Sequence, residues 1–221
     1  MIIWPILALI FAGLNVLALR RNLVRLEFIA RPAVMICLFL WLVLETGLQD
    51  NLLWFGLGII FSLIGDILLM VAFDRLFSPG LVAFLLAHLS YLIGLQEQLL
   101  NLTVWSFLLL FFIFLNGIRL LRRIVNAMRA SRQDRLVYPV IVYGLVISLM
   151  LYAAISTIFD PAWGTWAAFL VSAGAFLFWL SDLILAWNRF VSPIQNSRTI
   201  NNLAYHLGQI GLIAGVISQF G

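Results

Sequence analysis

Residues 52–72 read LLWFGLGIIFSLIGDILLMVA. As a helix rising 1.5 Å per residue this run is roughly 31 Å long, about the thickness of a bilayer's hydrocarbon core. Its one charge is Asp66. Lipid, rather than a buried protein core, is the solvent such a segment calls for. Comparable apolar runs fill the rest of the chain, and breaks at charged and turn-forming residues bound spans near 2–19, 28–45, 52–72, 80–96, 103–120, 138–158, 163–187 and 199–219. The predicted fold is an all-α integral membrane protein of about eight transmembrane helices, a single polytopic domain over 1–221. Composition agrees: 64% of the 221 residues are hydrophobic and 10% charged, where a soluble domain carries about a quarter charged residues.

Charge tests the span count. All thirteen basic residues are arginines. They fall at Arg20, Arg21, Arg25 and Arg31, then Arg75, then Arg119 through Arg135, then Arg189 and Arg198, which are the connections after spans one, three, five and seven. The other connections hold Glu45, Asp50, Glu97 and Asp160 and no arginine. The positive-inside rule then predicts both termini outside and the arginine loops in the cytoplasm, and one span more or fewer spoils the segregation. Trp4, Trp41, Trp54, Trp105, Trp163 and Trp166 fall near the predicted outer ends, as an interfacial aromatic belt requires. No basic residue precedes the first apolar run, so it is expected to stay as a span rather than be cleaved as a secretory signal. The formal charge of +4 reads as topology and not as a nucleic-acid surface, because the arginines border membrane spans. Cys37 has no second thiol to pair with and is expected to be a small core residue.

A faint repeat runs through the chain. Span three carries Gly65-Asp66, followed by Phe77-Ser78-Pro79 and then His88 and Tyr91 on span four. Span seven carries Ser181-Asp182, followed by Val191-Ser192-Pro193 and then Tyr205, His206 and Gln209 on span eight. Arg31-Pro32 and Tyr138-Pro139 open spans two and six. The pattern predicts two four-helix halves in the same membrane orientation, related by an axis along the bilayer normal.

An aspartate in hydrocarbon costs about 2.5–3.5 kcal/mol on insertion scales, so Asp66 and Asp182 need a reason to be where they are. Asp66 is expected roughly 9 Å above the cytoplasmic end of its helix, with Asp182 at matching depth. His88, His206, Arg31 and Tyr138 approach the same level from neighbouring spans. Asn202, His206 and Gln209 share one helical face, with Tyr205 beside Gln209, and His88 and Tyr91 share another. Lipid cannot satisfy these groups, so they are expected to line a polar chamber in the cytoplasmic half, roofed by apolar residues. Taken singly, several also fit plain helix-packing roles: Tyr91, Tyr205 and Gln209 as interhelical glue, Arg31 as a topology charge, and Gly65, Gly174 and Gly208 as points of close approach. The arginines from Arg119 to Arg135 read as a solvated loop facing anionic lipid.

The same residues carry a family resemblance. Arg31-Pro32-Ala33-Val34-Met35, the segment from Ser62 to Met70 with its Gly65-Asp66, Phe84 to Tyr91 with His88, Gly174 to Ala186 with Ser181-Asp182, and Tyr205-His206-Leu207-Gly208-Gln209 resemble the signature stretches of the YhhN family. That family includes the lysoplasmalogenases of animal membranes. The resemblance runs from span two to span eight, and its specificity lies in the order of the motifs. It implies hydrolysis of the vinyl-ether bond of a lysophospholipid substrate, releasing a fatty aldehyde and a glycerophospho-alcohol, with Asp66 and Asp182 as acid–base pair. The chain departs from the family pattern at Arg31, where lysine is expected; the charge is kept, but a planar fork replaces a point charge.

Vinyl ethers hydrolyse by protonation at carbon, addition of water to the oxocarbenium ion, and collapse of the hemiacetal. Such a site needs a proton donor and a carboxylate that stabilises the cation or activates water. The expected catalytic set is Asp66, Asp182 and His88, with His88 orienting an aspartate or relaying a proton. Arg31 is expected to hold the phosphate, and Tyr91, Tyr138, Tyr205, His206 and Gln209 to contact substrate, the alkenyl chain lying along the apolar upper chamber. The scheme calls for no cofactor or metal, and its partners are the lysophospholipid and membrane lipids, in the cell membrane with the site toward the cytoplasm. Two rivals use the same residues. A zinc-dependent lipid amidase or esterase resembling the alkaline ceramidases would need His88, His206 and an aspartate as ligands, and a proton-coupled transporter would use the paired carboxylates and the repeat.

Overall fold

In the computed structural model, which describes residues 2–100 and 103–221, the chain is helical throughout. Eight long helices are apolar enough to cross a membrane: α1 (Ile3–Arg21), α2 (Val24–Thr46), α3 (Leu52–Val71), α4 (Phe77–Gly94), α6 (Val104–Ala130), α7 (Val137–Ser156), α8 (Thr165–Phe190) and α9 (Ser197–Phe220). A one-turn helix, α5 (Gln96–Leu100), lies between the fourth and fifth of them. The chain is a multi-pass membrane protein. Its outer faces are those of a lipid-solvated bundle, with Trp105, Phe107, Phe111, Phe112, Trp166 and Phe169 all exposed, a surface water would not tolerate.

The span limits match the sequence reading closely except at α6. The apolar run was expected to end near residue 120, whereas the helix continues to Ala130, 27 residues in all. Arg119, Arg122, Arg123 and Arg129 therefore stand on a helical extension instead of in a loop. Arginine is a good helix former and its long stem can reach out of the hydrocarbon layer, so charge ends a span without ending the helix. Cys37 is buried and free, as expected.

Hydrogen bonds identify the two ends of the bundle. At one end Arg198 donates to Glu27 and Arg189 to Asp74, joining the connections after α1, α3 and α8. At the other, Gln98 donates to Asp160, and Gln219 bonds both Gly164 and Ala162. The arginine-rich connections thus share one end and the acidic ones the other.

Packing follows the repeat. In each half the first helix packs on the second, the second on the third and the third on the fourth, and the halves meet through α2 with α9 and α4 with α7, contacts equivalent under a shift of four spans. The tightest seam is α8 on α9. A Cβ added at Gly208 would lie 2.7 Å from the Phe178 backbone nitrogen, and one at Gly174 would collide with the backbone nitrogen of Leu212. Small residues allow this approach where no hydrophobic effect drives helices together.

Candidate active site

Each aspartate is held by two helices besides its own. Asp66, on α3, takes Arg31 of α2 and Tyr205 of α9. Arg31 Nε and Nη2 both reach Oδ1, at 2.9 and 2.7 Å, and the Tyr205 hydroxyl donates to Oδ2 at 3.0 Å. Arg31 sits just before Pro32, which has no N–H for the preceding turn of α2. Asp182, on α8, takes Tyr143 of α7 and His88 of α4. The Tyr143 hydroxyl donates to Oδ2 at 2.5 Å and His88 Nε2 lies 2.9 Å from the same oxygen. The two clusters use equivalent helices of the repeat: the span before the aspartate in its own half, and the last span of the other half.

They differ in access. The Asp66 side chain is fully buried, with Arg31 supplying its countercharge at close range, while the Asp182 side chain is 12% exposed. Among the described residues no partner reaches Asp182 Oδ1, so one oxygen is anchored and the other is available. A polar pocket of about 1190 Å³, its open mouth included, has Glu27, Arg31, Asp182, Asn188, Arg198, Asn201, Asn202 and Tyr205 on its wall, but not Asp66. Between the aspartates stand aromatic rings: Phe178 packs on His88 at 4.4 Å and on Tyr205 at 5.3 Å between centroids, and Phe84 packs on Tyr205 at 5.8 Å. The two carboxylates have separate direct hydrogen-bond partners.

The other expected residues divide. Arg31 and Tyr205 reach the pocket wall. Tyr91 donates to Gln209 Oε1 at 2.7 Å, and Gln209 donates to Ser62 at 2.9 Å, tying α3, α4 and α9 together away from the pocket wall. His206 Nε2 lies 2.9 Å from Asn15 Nδ2 of α1, and Asn15 also donates to Asn202. Both groups form interhelical hydrogen bonds, and Tyr91, His206 and Gln209, expected to contact substrate, lie off the pocket wall that carries Arg31 and Tyr205. Tyr138 is 76% exposed at the first turn of α7, facing outward, and is not on that wall either. Tyr143, further along α7, is the tyrosine of that helix bonded to Asp182. His88 Nδ1 is buried with no hydrogen-bond partner among the described residues, while Nε2 is committed to Asp182 and Tyr143. His88 and His206, which a zinc site would need together, turn to different partners, and among the described residues no three His, Cys, Asp or Glu side chains are grouped to hold an ion.

Tyr143 and Asn15 are the polar groups the sequence reading missed. A tyrosine and an asparagine inside apolar runs were the available signals, since each carries a donor that hydrocarbon cannot satisfy.

Comparison with known proteins gives a consistent set of relatives. The profile of the YhhN family matches residues 26–216. The lysoplasmalogenase TMEM86B of Mus musculus is 30% identical over 202 residues, covering 86% of this chain and 74% of its own length. The proteins of the same name from Homo sapiens and Rattus norvegicus are 28% and 29% identical, covering 81% and 86% of this chain and 69% and 72% of theirs. No solved structure matches the chain.

Proposed function

Since this chain belongs to the YhhN family, we propose that it is a lysoplasmalogenase, a membrane-embedded hydrolase that cleaves the vinyl-ether bond of a lysoplasmalogen to a fatty aldehyde and glycerophosphoethanolamine or glycerophosphocholine. The observation that carries this reading is a carboxyl group with one oxygen anchored by Tyr143 and His88 and the other open to a polar pocket bordered by Arg31.

Asp182, protonated, delivers its proton to the vinyl carbon remote from the ether oxygen, and the electron pair of the double bond forms the new C–H bond. Positive charge develops on the ether carbon and oxygen, beside the carboxylate just formed, where a fixed anion in a water-poor site is most effective. Water adds to the ether carbon and gives its proton back to Asp182. The hemiacetal collapses to aldehyde and free alcohol, and the acid is regenerated. One carboxyl group completes the cycle. Asp66 then acts as a positioning residue that fixes Arg31, and Arg31, with Nη1 uncommitted to Asp66, faces the phosphate from the pocket wall. The pocket lies in the arginine-rich half, which the positive-inside rule assigns to the cytoplasmic side of the cell membrane.

The test is aldehyde release by purified protein in nanodiscs from a vinyl-ether lysophospholipid, run beside its ester and saturated-ether analogues. Only the vinyl ether should yield aldehyde, and in D2O the product should carry one deuterium on the carbon next to the carbonyl. Asp182→Asn should reduce turnover to background, while Asp66→Asn should retain measurable turnover with raised KM. Absence of aldehyde, or full turnover by Asp182→Asn, would falsify the proposal.

A further inference from the structure

Asp182 is the meeting point of two cavities. Besides the polar pocket it borders an apolar cleft between α4, α6, α7 and α8, about 980 Å³ with its open side included. Leu69, Phe84 and Leu185 line both, so the change from apolar to polar wall occurs at the level of the reacting oxygen. The cleft arises where the two halves differ. α1 lies against α9, pinned through Asn15 to Asn202 and His206. Its counterpart α6 packs on α7 and α8 and, among the described residues, makes no comparable seam with α4. Residues exposed on the bundle's outer face, Ile118 and Leu145, are part of the wall on that side.

We propose that this cleft is the subsite for the single hydrocarbon chain of the substrate, entered sideways from the bilayer between α4 and α6. It rests on the reading above for the identity of the chain. The occupant is argued from complementarity along one axis: an apolar wall, then a carboxyl group, then a polar pocket where Arg31 and Arg198, paired to Asp66 and Glu27, keep N–H donors for a phosphate. The α6 wall runs from Phe114 to Ile124, roughly 15 Å of helix. A chain moving from bilayer to cleft exchanges one apolar surrounding for another, so the cleft adds little affinity. What it contributes is placement of the first chain carbons against Asp182. On the Asp66 side α1 packs against α2 and α9.

Gly117 gauges the cleft. A Cβ there would meet only Ser148 Oγ, at 3.5 Å, an ordinary contact. Alanine is therefore accommodated, whereas a phenylalanine side chain would project from the wall of the cleft that Gly117 lines.

The experiment uses a saturated-ether lysophospholipid with a diazirine in its chain, photolysed with the intact protein in nanodiscs and mapped by mass spectrometry. Labelling is expected on the α6 and α8 peptides that line the cleft, competed by unlabelled lysolipid but not by two-chain phospholipid. It should fall at least fivefold in Gly117→Phe and persist in Gly117→Ala. Labelling spread over lipid-facing surfaces, uncompeted by lysolipid, or unchanged in a folded Gly117→Phe, overturns the proposal. Because the probe is not hydrolysed, the outcomes separate: cleft labelling without aldehyde release from the vinyl ether removes the reaction and keeps the chain site. Aldehyde release with labelling beside α1 and α9 does the reverse.

Discussion

The asymmetry between Tyr138 and Tyr143 shows what one helix position decides. Five residues apart on α7 they point about 140° apart around the axis at 100° per residue, so one faces out and the other reaches Asp182. Their identity is the same in sequence, and a tyrosine near a span end satisfies its hydroxyl equally well at the interface or inside. Only packing against α8 distinguishes them, which is why Tyr138 was legible as a candidate and Tyr143 was not. Replacing Tyr143 by Phe removes one of the two hydrogen bonds that fix Asp182 Oδ2. Hydrogen bonds to charged groups contribute about 1.5–3 kcal/mol, so kcat should fall roughly ten- to hundredfold, while Tyr138→Phe leaves it unchanged. Aldehyde-release kinetics on both variants check this, and equal effects would remove Tyr143 from the site. The aspartates were legible because a carboxylate in a membrane run is costly wherever it points. The difference between their partners was not, since it depends on Arg31 reaching Asp66 across α2 and α3.

Helix seams set how these side chains meet. α8 carries Asp182 and α9 carries Tyr205, and their backbones touch at Gly174 and Gly208. A methyl group at Gly174 collides with backbone, which cannot rotate away as a side chain could. Overpacking costs about 1–3 kcal/mol and here belongs at the upper end. Gly174→Ala should therefore lower the unfolding midpoint in detergent and reduce turnover per folded molecule, because separating α8 from α9 also shifts Asp182 against the polar pocket. A midpoint equal to that of the unaltered protein would show that the seam yields without cost. The existence of the helices was readable from run length alone. The length of α6 was not, because the apolar run ends near residue 120 among arginines, and a helix with good formers continues past the end of an apolar run.

At the scale of the molecule, the segregation of arginines that fixed the span count also marks the two ends of the bundle, and the bonds Arg198–Glu27 and Gln98–Asp160 fall at opposite ends as that count requires. The repeat was visible as recurring motifs, yet its consequence came from its imperfection: α1 closes one side of the bundle and α6 leaves the other open. Orientation determines what such an opening means. If the arginine-rich end lies in the cytoplasm, as proposed, the polar pocket would release the water-soluble product inward while the aldehyde stayed with the bilayer. Alkaline phosphatase fused after Gly221 should then be active in intact cells and a green fluorescent protein fused there should be dark. A cysteine at Ser131, in the arginine-rich connection, should resist a membrane-impermeant maleimide until the cells are opened, with buried Cys37 giving little background. A bright fluorescent fusion together with a labelled Ser131→Cys would invert the protein in the membrane. The site's internal chemistry would be untouched, but its head-group product would be delivered outside.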